Sequence, residues 1–147
     1  MVIAPSSGLY PFHWYTKLFL SVAERLPFKP SVRDTLRVQA HRGFQFDETF
    51  IALMEAMVAN VRTRVLFPEP LTDDELQSIE VPTLVLIGAE EILYDPEAAI
   101  SRSRLLMPNV DARIVPDANH LLPMERPGFV DAAIEEFLAS PRADTSD

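Results

Sequence analysis

Cysteine is absent from the 147 residues, which removes disulfides, thiolate zinc sites and cysteine nucleophiles together. That composition fits a reducing compartment. Basic residues are in the minority, 13 Lys and Arg against 22 Asp and Glu, for a net charge of −9. A polyphosphate partner or an anionic membrane surface would need a basic patch, so neither nucleic acid nor membrane is an expected partner. Long apolar runs are missing too. The most apolar stretches, Val81–Ala89 and Phe50–Val61, fall well short of the ~18 residues of a membrane span. Met1-Val2-Ile3-Ala4 lacks a basic lead-in and is broken at once by Pro5-Ser6-Ser7-Gly8, unlike a secretion signal. The expectation is a soluble cytoplasmic protein. Glycine is scarce, confined to Gly8, Gly43, Gly88 and Gly128.

What is present suits one folded domain. Hydrophobic residues make up 48% and charged residues 24%, near the averages for soluble globular chains. Val2-Ile3-Ala4 reads as a strand followed by a loop. From Pro11 to Ser78 the pattern turns helical. Tyr15, Leu18, Phe19, Val22 and Leu26 form one apolar stripe ended by Pro27. Ser31 with Asp34 caps a second helix carrying Leu36 and Val38 towards Gly43. Asp47 caps a third, whose stripe is Phe50, Leu53, Met54, Met57, Val58 and Val61, with Arg62 and Arg64 suiting the dipole at its end. A loop at Pro68 and Pro70 precedes a Thr72–Glu75 capping box and a short helix with Leu76 and Ile79.

At Pro82 the register changes. Thr83-Leu84-Val85-Leu86-Ile87, stopped by Gly88, is the pattern of a strand buried on both faces. Asp95-Pro96 opens a helix to about Met107, and Ala112–Val115 is a further short strand. Residues 117–125 read as a loop. Pro127 opens a last helix with Phe129, Val130, Ala133, Ile134, Phe137 and Leu138 facing inward, and a frayed tail follows Ser140. Alternating elements with apolar strands define an α/β class: a partial parallel sheet of about three strands flanked by helices. The 78 residues between Ala4 and Thr83 far exceed a plain crossover, so this helical block is an insertion capping one end of the sheet. The resulting segments are 1–9 (first strand and loop), 10–80 (helical insertion), 81–140 (α/β core) and 141–147 (disordered tail).

Two loops leave the carboxyl ends of expected parallel strands, the edge where open α/β sheets place their sites. One carries Glu90, Glu91 and Asp95; the other carries Asn119, His120 and Glu125. A carboxylate beside an imidazole on the next strand end can fix the tautomer and orientation of a base. Plainer readings stand beside this one. Asp95 is fully explained as an N-cap, His13 and His41 read as structural, and Met54 with Met57 reads as core or cap lining. An oxygen-rich metal site from Glu90, Glu91, Asp95 and His120 is a further alternative. Composition and spacing alone reach an α/β domain with a possible Glu–His pair.

From Ile79 to Leu138 the chain resembles the carboxyl-terminal part of the α/β-hydrolase fold family. The resemblance rests on Val81-Pro82-Thr83-Leu84-Val85-Leu86-Ile87-Gly88, the acid Glu91 three residues on, Asn119-His120, and Met124-Glu125-Arg126-Pro127 before the last helix. It implies that Glu91 is the acid and His120 the general base of a Ser-His-acid triad, with Asp95 as fallback acid. It also implies that Tyr10–Ser78 is the cap between the sixth and seventh strands, Met1–Ala4 being the sixth. Glu stands where Asp is commoner, an accepted variant, and Asn119 stands where the family has glycine. The serious departure is the serine. No glycine frames a G-x-S-x-G motif, and Ser6 and Ser7 lack its flanking glycines, so no nucleophile is assigned in this chain.

The resemblance implies no cofactor and no metal. It implies a small-molecule ester-like substrate if the missing part is supplied. Phe12, Trp14, Tyr15, Phe19, Phe44, Phe46, Phe50, Met54 and Met57 would favour an apolar acyl or aromatic group, or equally fill an ordinary helical core. A first strand without the neighbour that carries the nucleophile would present a sticky edge. The expected partners are therefore a second copy of the chain or a separately encoded amino-terminal half. A non-catalytic interaction domain derived from the same fold is the alternative function.

Overall fold

The computed structural model describes residues 2–3, 8–23, 31–61 and 69–140. Its centre is a parallel sheet of three strands, β1 (Val2–Ile3), β2 (Thr83–Gly88) and β3 (Val110–Val115), in the order β1-β2-β3. Val2 and Ile3 pair with Leu84 and Val85, and Thr83 to Gly88 pair in step with Val110 to Val115. With a partner on each edge and cover on each face, every residue of β2 is buried. That is why its sequence shows an unbroken apolar run rather than an alternation.

Successive side chains of a strand point to opposite faces, and β2 divides the core accordingly. Leu84 and Leu86 join Val115, Ala118, Leu122, Val130 and Ala133 on one face, under α7 (Pro127–Ala139). Val85 and Ile87 join Leu9, Leu76, Tyr94, Ala99, Ile100, Met107 and Ala112 on the other, under α5 (Pro96–Leu106) and α4 (Asp73–Gln77). Arg102 of α5 ties this face to the segments before it. Its guanidinium donates to the carbonyls of Leu9 (2.8 Å) and Leu71 (2.7 Å) and to Asp73 Oδ1 (2.6 Å).

The helix starts follow from local chemistry. Ser31 Oγ accepts from Asp34 N–H at 3.0 Å to open α2 (Val32–Gln39). Asp47 accepts from Thr49 and Phe50 to open α3 (Glu48–Asn60), and its bonding to the Thr49 side chain and these N–H groups holds its carboxyl below the usual range. Thr72 and Glu75 complete the capping box of α4, and Asp95 accepts from Ala98 N–H at 3.0 Å ahead of Pro96.

Some expectations do not hold. On α1 (Trp14–Ala23) the buried position is Thr16, while Trp14 is 75% exposed and Tyr15, Leu18 and Val22 are exposed too. On α3 the buried residue is Ile51, and Leu53, at 57%, is exposed with Met57, Val58 and Val61. An apolar stripe shows that a helix has an apolar face, not what covers it, and α3 packs on α2. Leu138 is exposed as well, because it lies ~80° round α7 from Val130. β3 begins two residues earlier than expected, drawn in by pairing of Val110 with Thr83. The loop after β3 contains a short turn of helix, α6 (Leu122–Glu125). Ala4, Ser6, Ser7, Leu26, Pro27, Arg62, Arg64, Pro68, the tail after Ser140 and the side chain of Phe19 lie outside the described residues. Among the described residues, no helix is long and apolar enough to cross a membrane.

Candidate active site

β2 and β3 end side by side, so the loops after Gly88 and Val115 run together. Ala89 N–H donates to Val115 O (2.9 Å) and Glu90 N–H to Ala118 O (2.9 Å). The crossing is close enough to require glycine. A Cβ on Gly88 would stand 2.4 Å from Ala118 O and 2.6 Å from Asn119 O. Asp117, with φ of 52°, makes the left-handed turn that returns the chain to this crossing.

Within that junction Glu91 and His120 meet. His120 Nδ1 lies 2.8 Å from Glu91 Oε2, and the Glu91 side chain is fully buried while that of His120 is 21% exposed. The other carboxylate oxygen accepts from Leu93 N–H at 2.9 Å. Both oxygens of a buried carboxylate are thereby satisfied, as its burial demands. An ionised carboxylate only accepts, so the shared proton is carried on Nδ1 and the basic lone pair of the neutral imidazole is on Nε2.

The other acidic candidates go elsewhere. Asp95 is exposed and caps α5. Glu90 pairs with His41, Nδ1 to Oε1 at 2.8 Å. Among the described residues, no group of three or more His, Asp or Glu is gathered for a metal ion. His13 serves α1: its carbonyl accepts from Thr16 and Lys17 N–H, its N–H donates to Leu93 O, and its ring stacks on Tyr15 at 4.8 Å. Ser6 and Ser7 cannot be located relative to the pair, since they lie outside the described residues.

Three further residues, to which the sequence assigned no part in the site, meet at this junction. His41, at the end of the α2 segment, joins Glu90 and also donates its backbone N–H to Glu125 Oε1. Asn119 is buried and sends its amide to Val38 O and Ala40 O, both at 3.4 Å. Glu125 accepts Asn119 N–H at 2.8 Å. Only Asn119 and Glu125 carried a signal, as parts of the quoted motifs, and nothing local marks His41. A cavity of about 240 Å³ lies between α2 and α3, lined by Arg33, Arg37, Phe44, Gln45, Phe46, Glu48 and Ile51; neither Glu91 nor His120 lines it. Arg33 and Glu48 close one side of it through two hydrogen bonds, at 2.9 and 2.6 Å.

No family model matches the chain. It is 39% identical over 71 residues to the uncharacterized carboxylesterase nap of Bacillus subtilis (strain 168), and 42% identical over 72 residues to carboxylesterase YbfK of the same organism. These stretches cover 48% and 49% of this chain and 24% of each relative. Among solved structures, carboxylesterase CesB (YbfK) from Bacillus subtilis superposes with a TM-score of 0.78 at 25% identity, over 96% of this chain and 51% of that one. Naproxen esterase (carboxylesterase NP) from Bacillus subtilis does so with a TM-score of 0.73 at 29% identity, over 87% and 46%. The chain thus matches about a quarter of the length of these curated relatives and about half of each solved chain.

Proposed function

This chain has the architecture of the carboxyl-terminal half of an α/β-hydrolase, cap plus last three strands, and on that premise we propose that it supplies the acid and the general base of a serine hydrolase acting on ester-like substrates. Glu91 is the acid and His120 the base. The observation that carries the reading is the 2.8 Å contact between His120 Nδ1 and a fully buried Glu91 carboxylate whose second oxygen is already occupied.

In the reaction, a serine hydroxyl gives its proton to His120 Nε2 as its oxygen attacks the ester carbonyl. Glu91 stabilises the imidazolium so formed. The imidazolium returns the proton to the departing alkoxide, and water repeats the sequence to release the acid and free the serine. The serine of such a triad precedes acid and base in the chain within G-x-S-x-G. None of Gly8, Gly43, Gly88 or Gly128 frames that motif, so we assign nucleophile and oxyanion donors to sequence outside these 147 residues. By itself the chain is inactive on esters, because a Glu–His pair alone has nothing to activate.

The test is complementation. The purified chain is expected to show no labelling by a fluorophosphonate. Assembled with an amino-terminal segment bearing G-x-S-x-G, it should hydrolyse a p-nitrophenyl ester, and His120→Ala should lower that rate by roughly 10⁶. Labelling of the isolated chain, or full activity of an assembled His120→Ala protein, sinks the reading. A second reading, a non-catalytic interaction domain, draws support from the exposed Trp14, Leu18, Leu53 and Val58. On that reading Glu91→Gln and His120→Ala leave assembly and every other property unchanged.

A further inference from the structure

We propose that Glu125 is a positioning residue that locks His120 to the end of α2, so that the imidazole is held against Glu91 only while that helix end is seated. The positioning role rests on His120 being the base assigned above; the coupling itself rests on geometry alone.

The last carbonyls of a helix have no donor within the helix. At the end of α2 the donors come from the histidine loop. Val38 O and Ala40 O accept from Asn119 Nδ2, and Gln39 O accepts from His120 N–H at 3.1 Å. Asn119 Oδ1 shares that same His120 N–H, at 2.8 Å. Traffic in the other direction passes through one carboxylate. Glu125 takes Asn119 N–H on Oε2 and His41 N–H on Oε1. Bonds from N–H to an ionised carboxylate are roughly twice as strong as neutral ones, so Glu125 is the firmest link between the two segments.

The links close on themselves. Glu91 holds His120, the neighbour Asn119 holds Glu125, Glu125 holds His41, and His41 holds Glu90, which adjoins Glu91. Three segments distant in sequence (the end of α2, the acid loop and the histidine loop) therefore form one hydrogen-bonded circuit. Withdrawing the α2 end takes two acceptors from Asn119, one from His120 and one donor from Glu125. The loop that carries the imidazole then loses what fixes it, while the strands beneath keep their ladder.

The test reads His120 directly by NMR of the chain as it stands, without any hydrolytic assay. In the native chain the Nδ1 proton shared with Glu91 should give a sharp low-field resonance. Glu125→Ala should broaden or abolish it and raise amide exchange at His41, Asn119 and His120 by about tenfold or more, with β2 and α7 still protected. Should Glu125→Ala fail to fold, as lost β2 protection would reveal, Glu125→Gln carries the same readout, since its amide nitrogen faces one of the two N–H donors. From the other side, His41→Pro deletes the N–H that Glu125 accepts. Ala40, at φ −103° and ψ 155°, already has the extended backbone a following proline requires. His41→Ala removes only the imidazole, so the proline variant should disturb the His120 line more than the alanine variant. An unchanged His120 resonance and unchanged Asn119 exchange in folded Glu125→Ala or Glu125→Gln overturns the proposal, as does equal behaviour of the two His41 variants. Failure of the triad reading looks different: there the Glu125 variants move the resonance, yet His120→Ala leaves the assembled esterase active.

Discussion

Gly88 and Ala118 approach so closely that a methyl group on the glycine would stand 2.4 Å from the alanine's carbonyl oxygen. The atom in the way is backbone, and its neighbour Asn119 O is equally tight, so no side chain can swing aside. Gly88→Ala must therefore lift the histidine loop off the acid loop. The expected cost is about 1–3 kcal/mol in urea unfolding, the range for overpacking, together with loss of the low-field His120 proton. A variant as stable as the parent with that resonance intact would refute the close approach.

Glu91 differs from the surface carboxylates in having two protein partners and no water exposure on its side chain. Glu91→Ala strands His120 Nδ1 and Leu93 N–H together, and should destabilise the fold by about 1–3 kcal/mol. Glu91→Gln keeps an oxygen for Leu93 and should fold normally. In a complemented enzyme it should nevertheless lose roughly 10³–10⁴ in rate, since the anion that stabilises the imidazolium is gone. Equal rates for the parent and the Glu91→Gln variant would exclude Glu91 as the acid.

The parts of this fold that sequence made visible are those set by neighbours in the chain. Ser31, Asp47, Thr72 with Glu75, and Asp95 each act within three residues of themselves, so their caps could be read directly. β2 announced itself because burial on both faces selects the unbroken apolar run Leu84–Ile87, and its one polar side chain, Thr83, donates to the Val81 carbonyl. Contacts across the fold were illegible. His41 finds Glu90 49 positions away and Glu125 84 positions away, and no periodicity encodes that. The same limit explains α1 and α3, whose apolar stripes were plain although their outward direction was not. Glu91 and His120 stood out because each follows a strand end, where parallel order brings distant loops together.

Arg102 offers a check on how the segments before β2 are held. Its guanidinium reaches a carbonyl in one segment (Leu9) and a carbonyl and a carboxylate in another (Leu71 and Asp73), a fork that a lysine's single ammonium does not reproduce. Arg102→Lys should lower stability by about 1–3 kcal/mol and speed exchange of Leu71 N–H, whose acceptor is Gly8 O at 2.9 Å. Protection of β2 and β3 should stay as it was. Uniform loss of protection across the chain would mean that the clamp is global, not local.

Acid stability should carry the mark of Asp111. Its carboxyl accepts two hydrogen bonds from Arg113, at 3.0 and 2.7 Å, and these hold it below its ordinary value; Arg113 also donates to Glu136 at 2.7 Å, and its own value is raised. In the unfolded chain Asp111 titrates near ~3.9. The pair's contribution is therefore complete above about pH 4 and is lost as pH falls through the lower folded value. Because the Asp111 side chain is 39% exposed, solvent screening keeps that contribution under about 1 kcal/mol. Asp111→Asn should be less stable than the parent at pH 7, and the gap should narrow as pH falls below about 4, as urea midpoints would show. A constant gap across that range would detach the pair from acid unfolding.

Association state follows from what α1 and α3 leave uncovered. On these two helices Trp14, Leu18, Leu53 and Val58 are exposed together with Met57 and Val61. β1 adds a sheet edge, since it pairs with β2 alone among the described strands. Covering apolar side chains is the favourable part of association, and it must outweigh the roughly 4–15 kcal/mol that two chains lose in freedom on meeting; a second copy is the partner to test first. Light scattering on the purified chain should report a mass above that of one copy at micromolar concentration. Replacing Trp14, Leu18, Leu53 and Val58 with serine should shift it towards the monomer without loss of helical signal, because none of the four contributes to the two core clusters. A clean monomer for the unaltered chain in dilute solution would mean that these faces tolerate water.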